Sequence, residues 1–335
     1  MKVLLLANQP ERTTRLLRFE GTLKGLGMEV VVPRFHTRNW ISIARQAAKI
    51  AMKERPDVVH IFNVPDIIYH NFSRLRGEAY KKLIYDYRSP WGLELSQSFG
   101  IAGKAFGERF ERELAVSADI ITSVNKPLAD KVKIFAPDRE PHIIPNYPER
   151  SFSQVEDSDN AGLPAGLSLG DGSPVIFIGR ICTQEGVGKL LSVAASLPDQ
   201  EFWIVGDGPF ARWLLRNKTA NVRELGWQAH KDVARLVKAA RICLIPREES
   251  VITPYSTDRS VWKLNEYLNM GKLVIASGVV REEPRKNLMI VKSEMLEETL
   301  KRHIDDLPQA MQENDYRYWD NNRDAIKKVY DEAMS

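Results

Sequence analysis

The stretch Ser256–Ser277, STDRSVWKLNEYLNMGKLVIAS, decides how this chain folds. Asp258 and Ser260 are residue types that cap helix starts, and Trp262, Leu264, Tyr267 and Leu268 recur at the spacing of one helical face. Gly271 then ends the pattern before the apolar run LVIAS. The reading is a capped helix followed by a buried strand. Two carboxylates flank the positive helix start, Asp258 ahead of the first turn and Glu266 within the helix. Unpaired backbone N–H groups at such a start favour a diphosphate. Asp258 is then placed for the hydroxyls of a bound sugar and Glu266 for those of a ribose. An ordinary capped helix with a solvated Glu266 fits this stretch equally well, so the flanking sequence has to decide.

Outward from that stretch, apolar runs and helical patterns alternate along the chain. The second half carries PVIFIG (174–179), EFWIVG (201–206), VRELG (222–226), ICLIP (242–246), LVIAS (273–277) and MIVK (289–292), with helices expected over 187–195, 210–216 and 231–240. The first half carries VLLLA (3–7), EVVVP (29–33), DVVHIFNV (57–64), KLIYDYR (82–88), ADIITSV (118–124) and HIIPN (142–146), with helices over 13–26, 41–54, 102–115 and 127–135. Strand alternating with helix predicts an α/β protein with parallel sheets covered by helices on both faces. Residues 151–173 are rich in Ser, Asp, Gly and Pro, lack any apolar period and read as a linker. The expected organisation is a first doubly wound domain over 1–150, the linker, a second doubly wound domain over 174–312, and a C-terminal helical segment over 313–335. Tyr316, Tyr318, Trp319, Ile326, Val329 and Tyr330 are available to pack that last segment.

A chain of 335 residues has ample length for two cores. The net charge of +4 is unevenly placed: residues 1–100 hold sixteen Lys and Arg against nine Asp and Glu. Arg45, Lys49 and Lys53 fall at steps of four on the 41–54 helix, with Arg34, Arg38 and Trp40 just ahead. Such a stripe is either a solvated face or a seat for an anionic membrane surface or acceptor. The two cysteines, Cys182 and Cys243, exclude a disulfide framework and read as buried thiols in a reducing compartment. The N-terminal run is too short for a signal peptide, and no segment approaches the ~20 apolar residues of a membrane span. The expected location is therefore cytoplasmic, free or peripheral on a membrane. No G-x-G-x-x-G opens either half, which excludes the dinucleotide-binding fingerprint of a dehydrogenase.

Ligands of doubly wound sheets bind at the carboxyl ends of strands. Strand PVIFIG runs into Gly179-Arg180 and EFWIVG into Gly206-Asp207-Gly208-Pro209, so small residues allow close backbone approach and Arg180 offers a charge to phosphate. LGWQAHKDV (225–233), with Trp227, follows another strand and is placed to lie along a base.

The segments IFIGRICTQEGVGKLL, FWIVGDGP, ELGWQAHKDVARLVKAARICLIP and VWKLNEYLNMGKLVIAS, in that order and spacing, resemble the nucleotide-binding domain of GT-B-fold retaining glycosyltransferases of family 4. MKVLLLAN, DVVHIF, SADIITSVNKPLADKV and HIIPN extend the resemblance more loosely into the first half. The resemblance implies two domains facing a cleft, a final helix crossing back to the first domain, and transfer of a sugar from a nucleoside diphosphate with retained anomeric configuration. It implies no metal or other cofactor. It matches Arg180 to a phosphate-contacting Arg, Glu266 to a ribose-binding Glu, Asp258 to a sugar-contacting acid, and 206–209 to a loop near the donor. Ser260 and Lys263 match a segment whose backbone meets the diphosphate.

The chain departs from that pattern at named positions. Glu185 stands where the family has a Lys, so Lys189 or Lys263 is expected to supply the missing cation. Asp258 is one bond shorter than Glu, about 1.5 Å, which leaves Glu248 or Glu249 as alternatives toward the sugar. On the acceptor side Asn8 follows the first strand where relatives have a Gly pair, Arg88 stands where some have a His, and His60 lies at a strand end. The expected chemistry is front-face attack in which the departing phosphate takes the acceptor proton, because no paired acid and nucleophile of the hydrolase kind is evident. A UDP-sugar is the favoured donor, and a glycan, a lipid-linked sugar or a small molecule the acceptor, with no nucleic acid partner. Two alternatives stay open: a nucleotide-sugar epimerase of the same fold, and a non-catalytic GT-B subunit, suggested by Glu185 and the missing first-strand glycines.

Overall fold

The computed structural model describes residues 1–154, 173–305 and 315–335. The chain divides into two compact units, one made of Met1–Asn146 with Trp319–Ser335, the other of Tyr147–Tyr318. The expected linker at 151–173 lies, but for 151–154 and 173, outside the described residues, as do 306–314 at the expected end of the second domain.

In the first unit, β1 (Lys2–Leu6), β2 (Glu29–Val31), β3 (Val58–Phe62), β4 (Lys82–Tyr87), β5 (Ile120–Ser123) and β6 (His142–Ile143) form a parallel six-stranded sheet in the order β2-β1-β3-β4-β5-β6. The connecting helices are α1 (Thr14–Gly25), α2 (Trp40–Glu54), α3 (Phe72–Leu75), α4 (Trp91–Ser117) and α5 (Lys126–Lys133). Both sheet faces are covered, so the central strands are apolar without alternation, and Val3 to Leu6 have no exposed surface. Helix α1 buries Leu16, Phe19 and Leu23. It also buries Arg15, whose guanidinium grips Asp86 of β4 at 2.7 and 2.9 Å and donates to Ile144 O and Asn146 Oδ1. Against the opposing pull of burial, Arg15 keeps the Asp86 carboxyl below the usual range. Helix α2 starts at Asn39, whose side chain accepts the Ser42 N–H at 3.0 Å. Ile43, Ala47 and Ala51 face inward at steps of four, which turns Arg45, Lys49 and Lys53 outward.

The helix expected over 102–115 is longer and is folded in two. Its backbone breaks at Gly100 (φ 57°, ψ −145°), a conformation reserved for glycine. A straight helix holds residues fifteen apart at about 22 Å. Here a Cβ on Gly107 would come within 2.5 Å of Gly92 Cα, and one on Gly103 within 2.7 Å of Leu95 O. Helix α4 is therefore a helical hairpin whose arms meet through glycines, with Phe99 (67% exposed) and Ile101 (88% exposed) at its tip.

The second unit begins with α6 (Arg150–Ser153) and continues as β7 (Val175–Ile178), α7 (Val187–Ser196), β8 (Phe202–Val205), α8 (Ala211–Leu214), β9 (Val222–Gly226), α9 (His230–Ala239) and β10 (Ile242–Pro246). Then come α10 (Trp262–Asn269), β11 (Leu273–Ser277), β12 (Leu288–Ile290) and α11 (Leu296–Asp305). Its parallel sheet has the order β12-β11-β10-β7-β8-β9. Cys243 is buried in β10, whereas Cys182 is only partly buried. Helix α12 (Arg323–Met334) belongs to the first unit. There Tyr330 Oη lies 2.6 Å from His60 Nδ1, Trp319 packs 5.5 Å from Phe19, and Ile326 and Val329 are fully buried. Tyr316, expected to pack, is 71% exposed, and Tyr318 is buried within the second unit.

Candidate functional site

In the second sheet the chain leaves β7 toward β8 and β9, then returns to the other side of β7 as β10. The strand order thus reverses between β7 and β10, and the crevice at their carboxyl ends is where doubly wound sheets bind ligands. The loop after β7 carries Gly179, Arg180 and Glu185; the loop after β10 carries Arg247, Glu248 and Glu249; the first turn of α10 carries Lys263.

The glycines of this region serve the loops themselves. Gly179 N–H donates to Val205 O, Ile181 N–H to Asp207 O and Gly206 N–H to Gly226 O, at 2.8 to 3.0 Å. A Cβ on Gly206 would stand 1.9 Å from Gly179 O, and one on Gly208 2.0 Å from Ile181 O. The close approach expected toward a ligand at Gly206 and Gly208 is thus an approach between neighbouring backbones, and Asp207 accepts the Gly208 N–H at 2.6 Å.

Glu185 joins the three elements of the crevice. Its carboxylate accepts from Arg247 Nη2 at 2.7 Å and Nε at 3.3 Å, and from Lys263 Nζ. Lys263 Nζ also lies 4.5 Å over the Phe177 ring. Burial pulls the Lys263 ammonium down to about 8 although Glu185 opposes it. Burial disfavours the Glu185 carboxylate, yet Lys263 and Arg247 hold it down at about 2. Both groups are charged at neutral pH. Lys263, expected to replace a lost cation, is therefore already paired. Lys189 on α7 is half-buried and Arg180 is exposed, and neither makes an ion pair among the described residues.

Helix α10 is fixed by Leu264, Tyr267 and Leu268, buried to 1% or less, and Ile178 N–H donates to Tyr267 Oη at 3.0 Å. Each such side chain contributes about 1.5–3 kcal/mol by burial. Glu266 projects toward α9, where Oε1 meets His230 Nε2 at 2.9 Å. The His230 ring packs 4.9 Å from Phe152, and Trp227 is 75% exposed in the turn after β9.

The start of α10 differs from the expected cap. Val261 occupies the cap position and no side chain caps the helix. Asp258 is fully buried: Oδ1 accepts the Glu282 N–H at 2.5 Å and Oδ2 lies 3.5 Å from Arg285 Nε. Ser260 Oγ bonds within its own turn, to Thr257 O at 3.0 Å and from Thr257 N at 2.8 Å. Asp258 therefore anchors the 282–285 loop instead of facing a ligand. Of the two alternative acids, Glu249 is held by Ser293 N and Oγ at 2.9 and 2.6 Å, while Glu248 is exposed and has no partner among the described residues.

The acceptor-side residues separate. Asn8 is half-buried after β1. Arg88 is turned back on its own unit, its Nε on Asn63 O and its N–H on Asn63 Oδ1 at 3.0 Å. His60 is a core residue, stacked 4.3 Å from Phe62, with burial pulling its imidazole down to about 3. Sequence reasoning missed the buried acids beside these strands. Tyr85 Oη donates to Asp66 Oδ1, and burial pushes Asp66 well up and Glu111 up to about 7. The signal for Asp66 was a carboxylate inside the apolar stretch PDIIY, whereas Glu111, in the charged run FERELA, gave none.

Residues 173–309 match the family model described as Glycosyl transferases group 1. A search of curated proteins by sequence finds no match. Among solved structures the chain is similar to a sucrose-phosphate synthase from Thermosynechococcus elongatus, at 15% identity and a TM-score of 0.73, covering 99% of this chain and 96% of that one. It is also similar to HepE of Anabaena, solved with UDP and glucose, at 16% identity and a TM-score of 0.62, covering 99% and 96%. A third is a UDP-GlcNAc 2-epimerase from Neisseria meningitidis bound to UDP-GlcNAc, at 12% identity and a TM-score of 0.57, covering all of both chains. These likenesses establish a GT-B-like fold. Arg180, Glu185, Arg247, Glu248, Lys263 and Glu266 all lie within the matched segment 173–309, and Asn8, His60 and Arg88 lie outside it. Among the described residues, no group of three or more His, Cys, Asp or Glu is placed to hold a metal ion.

Proposed function

We propose that this protein transfers a sugar, with retained anomeric configuration, from a nucleoside diphosphate sugar, UDP-linked by preference. The observation that carries the reading is the family match over 173–309, a segment that includes Arg180 and Glu266. In this reading Glu266 accepts from the ribose hydroxyls, held in place by His230, and exposed Trp227 borders the base. Arg180 and Lys189 face the diphosphate. As the bond from the anomeric carbon to phosphate oxygen breaks, its electron pair passes to that oxygen, and these cations stabilise the growing charge. The acceptor hydroxyl adds to the same face and its proton passes to the departing phosphate. With Asp258 buried, Glu248 is the carboxylate left to bind the sugar.

The acceptor is a glycan, a lipid-linked sugar or a small molecule. The exposed apolar hairpin tip, together with Trp40, Arg45, Lys49 and Lys53 on the exposed face of α2, supports meeting it at an anionic membrane surface. No described helix is long and apolar enough to cross a membrane. One observation favours a second reading, nucleotide-sugar binding without transfer: Glu185 occupies cations that a donor would use. Incubation with labelled UDP-, GDP- and ADP-sugars and a panel of acceptors separates the two. Transfer to an acceptor is expected, and tight nucleotide binding with no release of nucleoside diphosphate would establish the second reading.

A further inference from the structure

Glu185 takes part in neither the ribose nor the sugar contacts, yet it is the residue toward which the crevice converges. It draws a bidentate Arg247 from the loop after β10 and Lys263 from the first turn of α10. A planar guanidinium and an ammonium on two oxygens of one anion is the arrangement that also receives phosphate. The side chains of Glu185, Arg247 and Lys263 are only 20%, 22% and 12% exposed. An unpaired charge is costly at such depth, so the two cations need an anion whether or not a ligand is present.

We propose that Glu185 is a resident stand-in for the donor's diphosphate: its carboxylate holds Lys263 and Arg247 in the empty site and competes with the diphosphate for them, lowering donor affinity. This rests on the donor site proposed above and adds a residue that acts against the ligand. The backbone leaves one route for exchange. Gly186 (φ +77°) is pressed on the end of β10, where a Cβ would stand 1.7 Å from Pro246 O, and at the other end Gly179 and Ile181 donate their N–H groups to Val205 O and Asp207 O. Both ends of the loop are pinned, so the carboxylate gives way by rotating its side chain. Diphosphate then takes over Lys263 and Arg247 in addition to Arg180 and Lys189, and Glu185 is left beside an anion of like charge.

The test is calorimetric titration of wild type, Glu185→Gln and Glu185→Lys with UDP, GDP, ADP and UMP, alongside thermal melting with and without ligand. Both variants are expected to bind the nucleoside diphosphate about tenfold or more tightly than wild type, with a smaller gain for UMP, which has one phosphate fewer. Glu185→Gln is expected to melt lower than wild type when empty and to gain more from UDP, because the ligand restores the anion that Lys263 lost. Titration well below the melting temperature of each variant keeps the experiment decisive where either variant melts lower. Equal or weaker diphosphate binding in folded variants, with wild type binding normally, overturns the stand-in role and leaves the donor site intact. Absence of nucleoside diphosphate binding in wild type and both variants overturns the donor site itself.

Discussion

Asp258→Ala would remove the carboxylate shared by the Glu282 amide and Arg285 where no solvent reaches. Breaking one partner out of a buried charged contact costs about 3–5 kcal/mol. The expected result is a marked fall in melting temperature, with turnover per folded molecule changed far less. Glu248→Gln should do the opposite, leaving melting unchanged and cutting turnover tenfold or more, since Glu248 is exposed and holds nothing in place. Melting curves and steady-state rates on the same two variants check both. Arg180→Ala and Glu266→Ala belong with Glu248, each expected to reduce turnover by orders of magnitude while the fold persists. The positions of Arg180 after β7 and Lys263 in the first turn of α10 were legible because a strand end and a helix start are marked by their own neighbours. Asp258 was not, because its burial depends on the 282–285 loop more than twenty residues downstream. Nor was the role of Glu185, since a charge reversal in sequence does not show which cations will gather on it.

Helix α4 carries the clearest consequence at the level of elements. Its arms approach until a Cβ on Gly107 would overlap Gly92, and the turn between them uses a glycine-only backbone at Gly100. Gly107→Val should therefore destabilise the first unit through overpacking and displaced backbone, by about 1–3 kcal/mol or more, read by thermal melting. Phe99→Asp with Ile101→Asp should leave melting unchanged, since both side chains are exposed, and should abolish flotation with vesicles containing anionic lipid. Unchanged flotation would remove the hairpin tip from the membrane contact. The sequence showed only the second arm of this hairpin. Gly92, Ser96 and Ser98 break the apolar period of the first arm, and Gly100, Gly103 and Gly107 read as weak helix formers until the packing that needs them is seen. By contrast α2, α7 and α9 bury residues at regular helical steps, so their spans were readable within a residue or two.

For the whole molecule, the central strands of both sheets were visible as apolar runs because parallel strands covered on both faces lose the alternation that marks a half-buried sheet. Strand order was not visible, since the return of β10 beside β7 is a matter of long-range pairing. The same holds for the end of the chain. Aromatic residues announced that the last segment packs, but only the structure shows Tyr330 on His60, 270 residues away in sequence. That contact makes a prediction about pH. Burial keeps folded His60 neutral down to about 3, whereas the unfolded imidazole takes its proton near 6.5. Below about pH 6.5 the unfolded state thus binds the extra proton, and stability falls as pH falls, by up to about 1.4 kcal/mol for each pH unit. His60→Phe preserves the stacking on Phe62 and loses both the Tyr330 bond and the titration. Denaturant unfolding should show the variant about 1–3 kcal/mol less stable at pH 7. The deficit should close, then reverse, as the pH is lowered toward 4.5. A difference between the two proteins that stays constant from pH 7 to 4.5 would mean that His60 takes up its proton within the folded core.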